Sequence, residues 1–585
     1  MDGDRQKIEN RLLMALAGAV AGAALWVLSE HWTDPGIDPA LFVAAFAFVT
    51  GYATVALALA GPVPLARALW VALLVVVPST VLLSVAGFRY EVSTEVLDRP
   101  HMLVGWAILV FFATPFCSVW AQDRSAVFSY AQLFETAWTL TVRYALAAVF
   151  VLGFWLVVFL SSALLELVEI DVLQQLLRTD WLVFTLSGAV MGLALAVLHE
   201  LRDRLSPFLV LRLTRLLVPV VLGVIVVFLA ALPLRGLSRL FGEFSSAGTL
   251  MAVTIAAITL ISTALDRDRA HEVESPGLRL ATRILAVLVP LLAGLALWAI
   301  VLRVTAYGWT PERWLAAYVA AFLMAYCVLY ALATPWARWT SYIRMINVAM
   351  AGAVIFGSAL WLTPAVQIYR MSANSQLDRF AQGKTEASEL PLWQMHNDWG
   401  RAGRAALARL EAQADPELTD LVALAREAES RFAYDRGALT ARRPGRVERL
   451  LTLLPVRPEG AMLNPSDIAG LPEFRLEALI DGCQRSLPDG RPGCVLIRGT
   501  FMPNAPADAQ GMILSRVDEQ QVDVTYILHD RPQAPRLRGA FDPLKEVWPT
   551  LSVEDLTAAL DGEYSVAPSG VEALFIGGHV LAPGD

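Results

Sequence analysis

The sequence predicts an all-α polytopic membrane bundle of about eleven transmembrane helices with a C-terminal soluble α+β domain. Three observations predict it. Of 585 residues, 56% are hydrophobic and 17% charged, where soluble domains carry roughly 25% charged residues. The charge is unevenly spread: residues 1–370 hold 24 Lys+Arg and 23 Asp+Glu, and residues 371–585 hold 22 and 31. Apolar runs of roughly 20 residues, the length that crosses a hydrocarbon core, recur through the first part only. This composition excludes a disordered chain, which needs low hydrophobicity and high charge. The net charge of -8 argues against nucleic acid as a partner.

The eleven runs lie at about 12–28, 40–60, 66–87, 102–121, 143–166, 181–198, 211–232, 248–265, 280–302, 312–333 and 343–362. They are apolar all round, and they lack the ten-residue alternation of a transmembrane barrel. The first run continues to Leu28 with no small-residue cleavage site before Glu30, so it reads as a retained helix and not a signal peptide. The stretch Val127–Trp138, with Glu135, reads as an interfacial segment ahead of the fifth helix.

Basic residues near the helix ends set the orientation. With the N-terminus cytoplasmic, inside segments hold sixteen Lys/Arg and outside loops seven, counting Arg89, Arg99, Arg178, Arg235, Arg239, Arg303 and Arg313 as outside. The bias comes mostly from the 199–215 and 266–283 loops. An odd number of crossings then predicts a periplasmic C-terminal domain on the bacterial inner membrane. Cys483 and Cys494 flank a Gly-, Pro- and Asp-containing turn, and that spacing predicts a disulfide, which suits an oxidising compartment. Cys117 and Cys327 fall inside apolar runs and read as small apolar residues.

The division expected is a transmembrane domain over 1–370, a helical soluble segment over 371–445 and a small α+β or mostly β domain over 446–585. Asp415-Pro416 reads as the start of a helix. Arg442, Arg443, Arg446 and Arg449 read as a solvated linker. Short runs at Cys494–Phe501, Val522–Leu528 and Val571–Leu581 read as strands, with Trp548 and Pro549 helping to close their core.

Signs of chemistry are few. Ionisable residues are nearly absent from helix centres, which disfavours a proton- or ion-coupled carrier. No phosphate-binding loop, nucleophile elbow, zinc-ligand set or dinucleotide fingerprint stands out, so no metal, cofactor or catalytic residue is expected. The sharpest local pattern is Arg303-Val-Thr-Ala-Tyr307-Gly308-Trp309-Thr310-Pro311-Glu312-Arg313. Thr310 suits an N-cap, Pro311 a first helical position, and Gly308 the turn before them. Arg303 and Arg313 are the candidates for holding an anionic headgroup.

At these residues the chain resembles the DUF4153 family of bacterial membrane proteins. The resemblance rests on Arg303, Tyr307, Gly308, Thr310 and Arg313. It rests also on Ala24-Leu25-Trp26-Val27-Leu28-Ser29-Glu30, and on the segments Gln376–Lys384 and Trp399–Leu407. It implies a polytopic inner-membrane protein and carries over no catalytic residue. The reading favoured is non-enzymatic: envelope-related sensing, scaffolding or partner binding through the C-terminal domain, with the lipid bilayer and envelope proteins as partners. A transporter or channel for a neutral or lipid-like solute is one alternative. A membrane-embedded transferase acting on a lipid-linked substrate is another.

Overall fold

The structure, a computed structural model, describes the chain except residues 1, 32–35, 202–210, 212, 236–244, 269–271, 274, 414, 464, 466–467, 469, 503–506, 530–535, 542–550, 569–571, 577–578 and 584–585. Arg202, Arg204, Arg212 and Arg269 of the inside count, Arg239 of the outside count, and Trp548 and Pro549 therefore lie outside the described residues. The chain forms two compact units, Met1–Gln413 and Ala414–Asp585.

Among the described residues of the first unit, eleven helices are long and apolar enough to cross a membrane. They are α1 (Asp2–Glu30), α2 (Pro39–Leu59), α3 (Leu65–Gly87), α4 (Pro100–Gln122), α5 (Tyr130–Glu166), α6 (Asp180–Glu200), α7 (Val218–Arg235), α8 (Ser245–Leu265), α9 (Pro276–Tyr307), α10 (Pro311–Ala333) and α11 (Trp339–Leu362). Local sequence explains several starts. Asp38 accepts hydrogen bonds from the backbone of Ala40 and Leu41 ahead of α2, with Pro39 at the first position. Thr310 does the same for the Arg313 backbone at the head of α10.

The fifth helix corrects the sequence reading. It begins at Tyr130, so Val127–Trp138 is no separate interfacial segment. Arg143 is buried in its middle, where charge is costly. Its guanidinium is accommodated because it donates to the Leu57 and Ala60 carbonyls, 3.2 Å each, at the end of α2.

Among the described residues, one hydrophobic centre of the bundle is built by α1–α6 and another by α7–α11. In the first, α1 and α6 cross backbone to backbone. A Cβ on Gly18 would sit 2.0 Å from the Gly188 carbonyl oxygen, and one on Gly192 2.1 Å from that of Met14. Small residues four apart on both helices permit this approach. Helices α4 and α11 join the two halves, with Trp361 against Gly105.

After α11 the first unit continues in α12 (Ile368–Ala381), α13 (Leu392–Asn397) and α14 (Gly400–Glu411). Contacts sort the connections onto two faces. On one, Arg11 pairs with Glu200, Arg267 with Glu135, Arg215 with Asp266, and Arg344 with Glu272. On the other, the α3–α4 and α9–α10 connections meet α12–α14.

The second unit is α+β. Helices α15 (Pro416–Glu427), α16 (Arg431–Leu453), α17 (Glu473–Gln484) and α18 (Val553–Asp561) accompany eight strands. The strands are β1 (Val456–Arg457), β2 (Cys494–Arg498), β3 (Gln510–Arg516), β4 (Val522–Leu528), β5 (Arg536–Phe541), β6 (Tyr564–Pro568), β7 (Glu572–Ile576) and β8 (His579–Pro583). They are ordered β1-β2-β3-β4-β5-β8-β7-β6, and among the described residues only the β1–β2 strand pair is parallel. Alternation along β2 and β3 explains the layers. Val495, Ile497, Met512 and Leu514 join the core with α18, while Cys494, Leu496 and Ile513 join the core with α16 and α17. Two expectations are corrected. Within the run read over Val571–Leu581 the described residues form two strands, β7 and β8, paired antiparallel. The basic stretch 441–449 is no linker; it is the middle of α16, continuous through Pro444.

Candidate functional site

One chemistry recurs at the helix ends of the first unit. The last carbonyls of a helix lack intrahelical partners and carry partial negative charge. Here arginines meet them. Besides Arg143 on α2, Arg344 donates to Leu265 and Asp266 at the end of α8, 2.5 and 3.3 Å, and Arg283 to Thr334 after α10, 2.6 Å. Arg379 donates to Thr305 and Ala306 at the end of α9, 3.2 and 2.6 Å. Arg89 donates to Trp361 and Thr363 at the end of α11, 2.9 and 2.5 Å. The planar fork of arginine can reach two carbonyls of one helix end, which the point charge of lysine does less well. The chain has only three lysines, Lys7, Lys384 and Lys545.

The densest polar cluster lies where α12–α14 fold against the α3–α4 connection. Tyr90, fully buried, shares a hydrogen bond between hydroxyls with Tyr369, whose hydroxyl lies 2.9 Å from His101 Nε2. Arg99 bonds the Asp398 carboxylate and the Asn397 carbonyl, and its guanidinium sits 5.9 Å from the Tyr90 ring centre. The Arg401 backbone donates to the Arg89 carbonyl, and its side chain to that of Tyr90. Arg404 bonds Glu91 and Glu95. Gly400 has φ +54, and a Cβ there would lie 2.6 Å from the Arg89 carbonyl oxygen, so only glycine lets α14 begin here.

Burial pushes the Tyr90 hydroxyl up to about 12, against the hydrogen bond from Tyr369 and the nearby arginines. It likewise raises Tyr369 well above the ordinary tyrosine range. Burial lowers Arg89. On Arg99 burial pulls down, but the Asp398 hydrogen bond and charge outweigh it, and the net shift is upward. Both tyrosines are thus neutral at physiological pH and enclosed away from any substrate in this conformation.

The turn singled out in the sequence belongs to the same face. Gly308 takes φ +73, ψ -179, a conformation restricted to glycine. Arg313 turns back to donate to the Tyr307 and Gly308 carbonyls, 3.1 and 2.6 Å, and lies over the Tyr307 ring. Gln376 of α12 donates to the Tyr307 and Trp309 carbonyls, and Ser375 accepts from the Trp309 backbone. Thr310 caps α10, and Arg303 lies half-buried in the last turns of α9. The turn is therefore the seat on which α12 rests.

A second polar cluster, unseen in the sequence, links four helices at the opposite face. Asn347 of α11 accepts from Tyr326 (2.9 Å) and Tyr330 of α10, and donates to Ser262 of α8 (3.2 Å) and Tyr130 of α5 (3.3 Å). Its only signal was an amide within an apolar run. In the second unit Cys483 and Cys494 form the expected disulfide, joining the end of α17 to the start of β2. A groove of about 200 Å³ lies between α17 and β3–β4, lined in part by Arg475, Arg485, Ser515 and Asp523.

Eleven apolar helices, five of them (α2, α8, α9, α10 and α11) with arginine at their last carbonyls, define a polytopic α-helical membrane protein living in a lipid bilayer. The family described as Domain of unknown function (DUF4153) matches residues 44–420, and the chain belongs to that family. The match takes in both polar clusters, the 303–313 turn and the segments 376–384 and 399–407, but not residues 24–30 or the sheet of the second unit. No curated protein and no solved structure matches the chain.

Proposed function

We propose that this protein is a non-enzymatic scaffold or partner-binding protein of the bacterial envelope, with a cytoplasmic N-terminus and its second unit in the periplasm. The observation that carries the reading is that the charged groups of the densest cluster are engaged in joining α12–α14 to the bundle. Arg89, Arg99, Arg379, Arg401 and Arg404 all bond carbonyls or carboxylates of the protein itself. The arrangement suits a rigid platform. Orientation is supported by the Lys/Arg bias and by the disulfide.

The test has two arms. Asp518→Cys, on an exposed turn, should react with a membrane-impermeant maleimide in intact spheroplasts; reaction only after lysis would reverse the orientation. In a deletion strain scored for envelope-stress sensitivity, the full chain should restore resistance and a chain ending at Gln413 should not. Restoration by the shortened chain would sink the partner-binding role of the second unit.

A second reading, transport of a neutral or lipid-like solute, is favoured by the uncharged Asn347 cluster. Asn347→Leu would then abolish uptake in proteoliposomes, whereas under the scaffold reading no uptake exists to lose.

A further inference from the structure

The second unit carries a surface whose charge runs against that of its surroundings. Residues 414–585 hold 17 basic and 26 acidic residues. Within them the sequence of α16 holds Arg431, Arg436, Arg442, Arg443, Arg446 and Arg449 against Asp435 and Glu448. Phe432 is 69% exposed, with the Arg436 guanidinium 4.5 Å from its ring centre, and Leu439 is exposed too. Helical spacing puts Phe432, Arg436, Leu439, Arg443 and Arg446 on one face. Arg443 and Arg446 both bond Glu473, the first residue of α17 (3.4 and 2.5 Å). The next residue, Phe474, is 68% exposed beside Arg475. The other side of α16 is occupied in the same stretch: Tyr434 and Ala438 are buried, and Gly437 lies against Leu424 of α15.

We propose that the Phe432–Arg436–Leu439 face of α16, extended by Phe474, docks on an anionic lipid surface. Exposed aromatic rings flanked by arginine are the composition that seats a helix at a bilayer interface, with rings at the acyl boundary and guanidinium groups at headgroup phosphates. A basic face on an acidic unit also orients itself: the acidic remainder is repelled by the same anionic leaflet that attracts the helix. Affinity can be weak, because the spanning helices tether the second unit's chain to a bilayer and raise the effective concentration of the face there. The inference is independent of the scaffold role, since it concerns lipid and not a protein partner.

The test uses the full chain in nanodiscs of neutral phosphatidylcholine or of phosphatidylcholine with a substantial share of phosphatidylglycerol. Cys117 and Cys327 are replaced by alanine, and Thr440→Cys, exposed next to Leu439, carries an environment-sensitive fluorophore. The expected result is at least a twofold rise in emission in the anionic discs, abolished by molar salt and by Arg436→Glu. Equal emission in the two lipids overturns the proposal, whether both are dim or both are bright. Amide exchange over 431–440 of the unsubstituted chain gives a second reading free of labelling. It should slow several-fold in anionic discs, and identical exchange in both lipids overturns the proposal as well.

Discussion

Replacing Gly188 tests the α1–α6 crossing most directly. A Cβ at Gly188 would lie 2.0 Å from the Gly18 carbonyl oxygen, 2.8 Å from the Gly18 carbonyl carbon and 3.1 Å from the Gly22 nitrogen. All three are backbone atoms, so no rotamer change relieves the clash. Heavy atoms essentially never approach a Cβ closer than 3.0 Å, so alanine already pushes the helices apart by about 1 Å, and leucine by more. The register gives no escape, because Gly22 meets the Phe184 carbonyl and Gly192 that of Met14 at the same closeness. Overpacking of this kind costs about 1–3 kcal/mol, and separation also forfeits dispersion contacts along the whole seam. Purified protein in detergent, followed by thermal unfolding on size-exclusion chromatography, should rank wild type above Gly188→Ala and that above Gly188→Leu. Gly153→Leu is the control, since nothing lies within 4 Å of a Cβ there. If Gly188→Leu melts with Gly153→Leu, the close crossing is wrong.

Three further outcomes are expected. Gly308→Ala forces a glycine-only conformation and drives a Cβ to 2.5 Å from Arg379 Cδ; a cost of about 1–3 kcal/mol should appear as faster tryptic cleavage after Lys384, the nearby exposed lysine, with cleavage elsewhere unchanged. Tyr90 is held neutral up to about 12 when folded, against 10.0 for the free side chain. The unfolded chain therefore loses this proton first, and stability present below pH 10 should fall as pH rises from 10 to 12; Tyr90→Phe should flatten that part of the stability–pH curve. The double variant Cys483→Ser, Cys494→Ser opens a loop spanning eleven positions, so chemical unfolding of the second unit should come earlier by roughly 2–3 kcal/mol, an amount that reduction of the wild type should reproduce.

The spans were legible because each is an apolar run of bilayer length, and all eleven expected runs overlap an observed helix. The start of α5 was not, because the eye stops at Arg143, and only the α2 carbonyls explain why a guanidinium can lie within a helix packed there. The polar clusters were hidden for a different reason. Tyr369 stands 279 positions from Tyr90 and 268 from His101, and Asn347 draws on three other helices; neutral hydroxyls and amides leave no periodic trace. The turn at Gly308 was recognisable from Thr310-Pro311, but its role as a seat for α12 depends on Gln376 and Arg379, some seventy positions on. The α16 stretch was misjudged because Pro444 and Gly445 suggest a break, whereas burial of Tyr434, Ala438 and Leu450 holds the helix through them.

The links between the two halves of the bundle constrain its motion. On one face Arg89, just beyond α3, grips the end of α11; on the other, Arg267 reaches Glu135 of α5, and Asn347 of α11 reaches Tyr130. A bundle pinned at one face could open like a jaw at the other. This one is pinned at both, so rocking one half against the other must break charge-assisted bonds whichever way it tilts. A transport cycle by alternating access would start against that latch, while a protein that works as a rigid platform gains from it.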